Sequence, residues 1–409
     1  MADPGAGRPV AAPSSGRVMG TIVVVTVLGV IPVHLVGTLA VFLREDLDFD
    51  QAGLGLLIAV RAAGAAALAW PLGRLAQRLG PERSLRLGTL AAALASIAVG
   101  TLVHSYGALL IILAAAGLVH ALNQPAADLW LATALPFHRR GLGFGLKQAS
   151  VPAAALLAGL AVPVFALTIG WRWAFIAVGG VAFIVAMALP AGPPIETRVV
   201  SRSSGVADAP TRIMVTLVVA MALAAAAANA FVGFLVSAQI DAGTSEATAG
   251  ILFACGAFAG LVARIGVGHG SDRWGWPLLP VVIGMLGFGA VGYALLSTMH
   301  AGTMVVATPI TFMMAWGWPG LFFLALSRAN PNATAAASGK INMGGFAGGS
   351  AGPLIFGLLA RDSYTSAWLF AAACSVSAAV VLLLAWWQLR KLSSETERPD
   401  PLAPNQNYG

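Results

Sequence analysis

QAGLGLLIAVRAAGAAALAWPLGRLAQRLG, running from Gln51, and EATAGILFACGAFAGLVARIGVGHGSDRWG, running from Glu246, are two copies of one pattern. They align without a gap at an offset of 195 residues, 246 against 51. Gly55 falls on Gly250, Gly73 on Gly268, Arg78 on Arg273 and Gly80 on Gly275. Each copy begins with an apolar run and ends in a short segment bearing glycine and arginine. A run of about twenty apolar residues makes a helix that crosses ~30 Å of hydrocarbon at ~1.5 Å rise per residue. A second match lays Lys147 and its surroundings on Lys340, at an offset of 193.

The rest of the chain has the same texture. Of its 409 residues, 58% are hydrophobic and only 10% charged. That charge is too sparse to coat a water-facing surface of this size, and it sits between apolar runs. Backbone groups in hydrocarbon must be satisfied within the segment, which leaves helices or closed barrels. The runs are continuous instead of alternating, so they are helices. Twelve are expected, roughly 18–43, 51–70, 84–103, 107–135, 142–167, 172–190, 212–236, 247–269, 278–298, 303–327, 336–360 and 365–389. The polar stretch 191–211 divides them six and six. The expected organisation is a disordered tail (1–17), a six-helix bundle (18–190), a linker (191–211), a second bundle (212–390) and a short tail (391–409). The fold class is therefore an all-α integral membrane protein of twelve transmembrane helices in two pseudo-symmetric six-helix bundles.

Charge asymmetry sets the orientation. With the N-terminus inside, Arg74, Arg78, Arg83, Arg86, Arg139, Arg140, Arg198, Arg202, Arg273, Arg390 and Lys391 are all inner. The outer segments hold only Arg44, Arg172 and Arg361, together with most loop acids, such as Asp48, Asp50 and Asp241. Both termini are expected in the cytoplasm. The net charge of +7 belongs to loops facing anionic lipid, not to a nucleic-acid surface. Cys255 and Cys374 fall inside apolar runs, so no disulfide framework is expected. No signal-peptide cleavage pattern, no nucleotide-binding loop and no metal-ligand spacing is present in the sequence, and no cofactor is expected.

Two like-oriented halves imply a two-fold axis along the membrane normal, with a path between them. With this repeat the chain resembles the major facilitator superfamily, whose loop after the second helix reads Gly-x-x-x-Asp-Arg-x-Gly. The second-half copy fits fully, as Gly268, Asp272, Arg273 and Gly275. The first-half copy keeps Gly73, Arg78 and Gly80 but has Gln77 at the acidic place. The Trp171-Arg172-Trp173 and Arg139-Arg140-Gly141 segments are also similar to that superfamily. The resemblance implies transport by alternating access. A carboxylate at Asp272 is expected near the N-terminal end of a helix in the other half, where free N–H groups and the helix dipole favour negative charge. These eight residues are the expected gate, weaker on the Gln77 side; the other reading is a pair of basic topology signals.

Arg61, Lys147, Arg264, Lys340 and one acid, Asp128, lie at membrane depth, where charge is costly and faces a cavity or a partner. Arg61 is about ten residues from either end of its run, or ~15 Å from each interface. It is too deep to snorkel, and serves either an anion or backbone carbonyls. Asp128 and Lys147 lie at similar depth either side of a turn near Phe137, so an ion pair is expected. The repeat puts Leu321 at the place equivalent to Asp128, which leaves Lys340 without such a partner. The Ala263-Arg264-Ile265-Gly266 context resembles the eighth helix of monocarboxylate transporters and oxalate/formate exchangers, and Lys340 resembles the exchangers' lysine. Those resemblances imply carboxylate binding at both positions. The segment Pro71–Gly80 resembles the cyanate-permease branch. Asn123, Trp316 and Asn342 are further candidates for lining the path. His34 and His120, with Asp128, are candidates for proton coupling.

The expectation is a secondary active transporter of a small anion, an organic carboxylate or a cyanate-like ion. It would act as a monomer in a bacterial inner membrane, by proton symport or exchange. The alternatives are a multidrug or metabolite exporter of the same fold, or a non-transporting membrane sensor. No clustered nucleophile and base points to an enzyme.

Overall fold

A computed structural model describes residues 14–189, 210–329 and 334–396. Among them are twelve helical spans long and apolar enough to cross a membrane. The first half holds α1 (Ser15–Thr38), α2 (Ala40–Leu47), α3 (Gln51–Leu79), α4 (Pro81–Leu102), α5 (Tyr106–Ala134), α6 (Phe137–Ala161) and α7 (Trp171–Ala188). The second holds α8 (Thr211–Asp241), α9 (Glu246–Trp274), α10 (Leu278–Leu296), α11 (Ala301–Met314), α12 (Pro319–Ala329), α13 (Thr334–Ala360) and α14 (Tyr364–Thr396). The two bundles repeat the same neighbours. In the first, α1 packs on α6, α3 on α5 and α4 on α7; in the second, α8 packs on α13, α9 on α11 and α10 on α14.

Several expected boundaries move, for local reasons. The first helix begins at Ser15, inside the expected tail, because the Ser14 side chain accepts from Arg17 N at 3.4 Å and caps it. It breaks at Leu39 and resumes as α2. The last helix runs to Thr396, beyond the expected tail boundary at 391. Residues 191–209 of the expected linker, 191–211, lie outside the described residues, as do 1–13 of the tail and 397–409, and α8 begins at Thr211, inside that linker. The repeated motif is not a loop. Gly73, Gln77 and Arg78 form the last turns of α3, and Gly268, Asp272 and Arg273 those of α9. Each helix stops at the final motif glycine, Gly80 at φ 81° and Gly275 at φ 63°, a conformation that only glycine adopts without strain.

The tenth span, expected to be continuous, is broken at residues 315–318 between α11 and α12. Pro319 at the start of α12 cannot donate to the preceding turn. The freed carbonyls find other donors: Trp318 Nε1 donates to Ala315 O at 2.9 Å and Arg264 Nη2 to Trp316 O at 2.6 Å. The fifth span ends likewise in a π turn over Val162–Ala166.

The two halves pack closely at one end. Far from the termini, one continuous apolar core joins Leu39, Leu43 and Leu54 of the first half to Phe231, Phe253 and Phe356 of the second. Towards the termini the core divides, with Ile22, Leu85 and Trp130 in one cluster and Met214, Phe322 and Leu382 in another. The seams between halves are α3 on α13, α6 on α9 and α1 on α8. At the closed end these seams bring backbones together. A Cβ on Gly159 would lie 2.8 Å from Gly250 O, and one on Gly37 would lie 2.9 Å from Gly233 Cα. A Cβ on Gly55 would strike Pro353 O. On the same seam helices, Gly73, Gly145, Gly268 and Gly339 at the other end have nothing within 4 Å of that position. The molecule is shut at one end and open at the end where its described termini lie.

This geometry predicts opposite responses to one substitution. Gly55→Leu and Gly250→Leu would overpack the closed seams, costing about 1–3 kcal/mol. Gly73→Leu and Gly268→Leu would change stability by no more than about 0.5 kcal/mol. Unfolding of the purified protein in detergent, with hydrogen exchange of the closed-end amides, measures both. Equal losses at the two ends would contradict the arrangement.

Candidate substrate site

Arg61 extends from the middle of α3 into a cavity of the first bundle. Thr26 and Gly29 of α1, Ser96 of α4, and His120, Asn123 and Gln124 of α5 line it with Arg61. About 40 Å³ is open to the centre of a water molecule, room for a few waters where polar partners exist. No carboxylate is among the lining residues. Arg61 makes no ion pair and no hydrogen bond among the described residues.

Small residues create the room. A Cβ on Gly88 of α4 would overlap Asn123 Oδ1, and Gly29 of α1 lies against the same amide. Asn123 is buried and its Oδ1 has no partner. His34 of α1 is also buried, with an unpartnered Nδ1. Its ring meets Trp316 edge to face at 5.9 Å, and His120 meets Phe346 at 6.5 Å. Both imidazoles lie close enough to Arg61 to feel its charge. Each of these ring contacts joins the first half to the second.

His120, Gln124 and Asp128 follow at four-residue spacing along one face of α5. His120 Nε2 is 3.5 Å from the Gln124 amide, Lys147 Nζ is 3.5 Å from Gln124 O, and Lys147 Nζ is 2.5 Å from Asp128 Oδ1. The structure thus brings together the two residues that the α5–α6 hairpin places at one depth. The Lys147 side chain is 9% exposed and that of Asp128 44%. The lysine is the buried partner and the acid the accessible one.

Arg264 of α9 is held differently. Besides Trp316 O, it donates through Nη1 to Gln148 O of α6 at 3.0 Å, across the halves. Its guanidinium stands over the Trp316 ring at 4.9 Å, a cation–π geometry. Nε is buried without a partner. Arg264 thus fastens the broken tenth span and the α6/α9 seam, and the carboxylate role expected from its sequence context competes with two carbonyls.

Arg264 and Lys340, the two cations whose resemblances imply carboxylate binding, do not line the Arg61 cavity. Lys340 is exposed near the start of α13, as is Asn342. Its repeat mate Lys147 is buried because Asp128 neutralises it, whereas Leu321 offers Lys340 no counterpart. Of the gate residues, Gln77, Arg78 and Arg273 are exposed, and Gly73 and Gly268 face open space. The Asp272 side chain lies outside the described residues. Sequence reasoning missed Thr26, Ser96 and the Gln148 carbonyl. The first two are single hydroxyls in apolar runs, and a backbone acceptor leaves no mark on the sequence.

A twelve-span bundle pair with charged and polar groups at its heart defines a multi-pass membrane transporter rather than an enzyme. The chain belongs to the Major Facilitator Superfamily, whose family model matches residues 19–353. Its fold is similar to that of a bacterial homologue of the human lysosomal transporter Spinster, in an inward-facing and occupied conformation. That likeness has a TM-score of 0.70 and 17% identity, over 94% of this chain and 98% of that one. It is also similar to the nucleoside transporter NupG, with a TM-score of 0.70 and 13% identity, over 90% of this chain and all of that one. No curated protein matches it by sequence.

The ion pair predicts an asymmetric mutational response. Asp128→Asn strands a buried ammonium and would destabilise the protein by about 1–3 kcal/mol. Lys147→Met leaves an acid that water already reaches, and would cost less. Thermal unfolding of both single variants and the double variant measures the coupling. A larger loss for Lys147→Met would contradict the assignment of the buried partner.

Proposed function

We propose that the protein is a secondary active transporter that carries a small anion between its two halves by alternating access. The supporting observation is Arg61, a cation in a largely apolar cavity with a few polar groups and, among the described residues, no acid to neutralise it. The other deep cations have partners: Lys147 has Asp128, and Arg264 has two carbonyls and an indole ring. An anion entering the cavity would complete the charge balance and could accept from donors such as the Thr26 hydroxyl and the Asn123 Nδ2 amide at short range, where low dielectric strengthens each contact. A cation would meet the uncompensated charge of Arg61.

The cargo is small, a carboxylate or a cyanate-like ion, because the room beside Arg61 suits a few heavy atoms. The excess of Lys and Arg in the loops on the side of the termini supports a reading with both termini in the cytoplasm of a bacterial cell and the open end facing inward. Lys340 and Asn342, exposed at that end, form an outer collecting point for the anion. The Asp128, Lys147, Gln124 and His120 series gives coupling a physical route. Protonation of the accessible Asp128 would release Lys147, and the released charge would strengthen the pull on an anion near His120. Symport and exchange both use that linkage. The motif residues at the ends of α3 and α9 then close the inner end when the halves rock.

The test pairs binding with flux. Formate, oxalate, cyanate and nitrate are each added to the purified protein, and unfolding is followed by temperature. An anion at a hundred times its Kd adds about 2.7 kcal/mol of stability. Arg61→Gln is expected to abolish that gain and to lower anion uptake into proteoliposomes at least tenfold. Unchanged uptake in Arg61→Gln, or stabilisation by uncharged apolar compounds only, would overturn the anion reading in favour of an exporter.

A further inference from the structure

Three ion pairs join described residues, and one of them crosses between the halves. It lies at the closed end. Arg361, just after α13, places Nε 2.7 Å from Asp50 Oδ2, just before α3. The other oxygen of the same carboxylate, Oδ1, accepts from Gly53 N at 2.8 Å and caps α3. The helix start thus fixes the acid in place and adds its own dipole to the local field. The pair stands in a polar cleft between the halves, with a volume of about 390 Å³. Of the residues lining the cleft, Asp50 is the only acid from the first half; Asp241 and Asp362 both come from the second. Arg44, the first half's cation there, donates instead to Phe49 O at 3.3 Å.

The repeat shows what is special about this seam. The 195-residue offset takes Asp50 to Ser245, and the 193-residue offset takes Arg361 back to Thr168. Ser245 caps α9, accepting from Thr248 N at 3.4 Å, but carries no charge. Thr168 donates to Val164 O at 2.6 Å. At the closed end, the α6/α9 seam therefore has glycine packing and no ion pair among the described residues, its polar tie being the Arg264 bond to Gln148 O further along the helices, while the α3/α13 seam has glycine packing and a charge pair.

We propose that Asp50 and Arg361 form an electrostatic latch that biases the transporter towards the conformer closed at this end, acting on the α3/α13 seam and not on its pseudo-symmetric counterpart. Both side chains are about half exposed, 56% and 49%. A pair so hydrated holds weakly and releases within each cycle, which suits a gate. Its hold falls with ionic strength.

Distances between spin labels test this. Labels are placed on exposed Glu45 of the first half and His300 of the second, in a protein carrying Cys255→Ser and Cys374→Ala. Asp50→Asn keeps the cap and removes the charge; Arg361→Gln removes the other charge; Arg361→Lys keeps it. At low salt, Asp50→Asn and Arg361→Gln are each expected to raise the ratio of long to short distances about two- to fivefold. Arg361→Lys should retain the parent distribution. The double variant Asp50→Asn, Arg361→Gln should open no further than either single variant, because one interaction is lost in all three. At about 1 M salt, where the Debye length is about 3 Å, the parent should open to the level of the charge-removing variants. Unchanged distances in Asp50→Asn, or additive opening in the double variant, would overturn the latch. Neither result would bear on the cargo, which the Arg61 variant tests separately.

Discussion

Backbone-to-backbone approach of the two halves at one end is the constraint on which the rest of this molecule depends. Lipid gives no hydrophobic drive for helix association, so helices adhere in a membrane by close packing of small residues. Gly37, Gly55, Gly159 and Gly250 supply that packing where the halves touch. The apolar core is continuous there and divides elsewhere. A seam made of glycine contacts has shape but no bulky interdigitation. Such a seam can part and re-form, as a rocking transporter requires. The open end carries glycines on the same seam helices, so the opposite closure can draw on the same chemistry.

Charge is distributed against this frame with little redundancy. Lys147 is neutralised within its own bundle. Arg264 satisfies carbonyls freed by the break in the tenth span and reaches across to α6. Arg172 braces Asp46 and Val103 O at the closed end of the first bundle. Arg61 is left facing a cavity. An uncompensated guanidinium at that depth is costly, and a site for a negative cargo accounts for the cost better than packing does.

Much of the fold could be read from the sequence because lipid imposes strict rules on length and composition. The apolar runs gave the span count, and the repeat offset paired Gly55 with Gly250, both of which lie in the seams. The Asp128–Lys147 contact was legible because a tight hairpin fixes the relative depth of residues on either side. The same reasoning, through Leu321, left Lys340 without an acid, but its exposure away from the Arg61 cavity was not read from the sequence. Other features had no such signature. The break at residues 315–318 is signalled only by Gly317 and Pro319, and proline inside a membrane helix often leaves it intact, as Pro71 does in α3. The partners of Arg264 are backbone oxygens that exist as acceptors only once the helix is broken. The motif after the second span reads as a loop by composition, yet it is helical up to its last glycine, because Gly73 costs a helix only about 1 kcal/mol.

The central claim is that the Arg61 cavity holds an anion, and an anomalous scatterer tests it most directly. Crystals of the protein grown with bromide are predicted to show a peak within about 3.5 Å of the Arg61 guanidinium, one that disappears in Arg61→Ala while the fold persists. Bromide found only at exposed lysines and helix ends, with none in the cavity, would contradict the account.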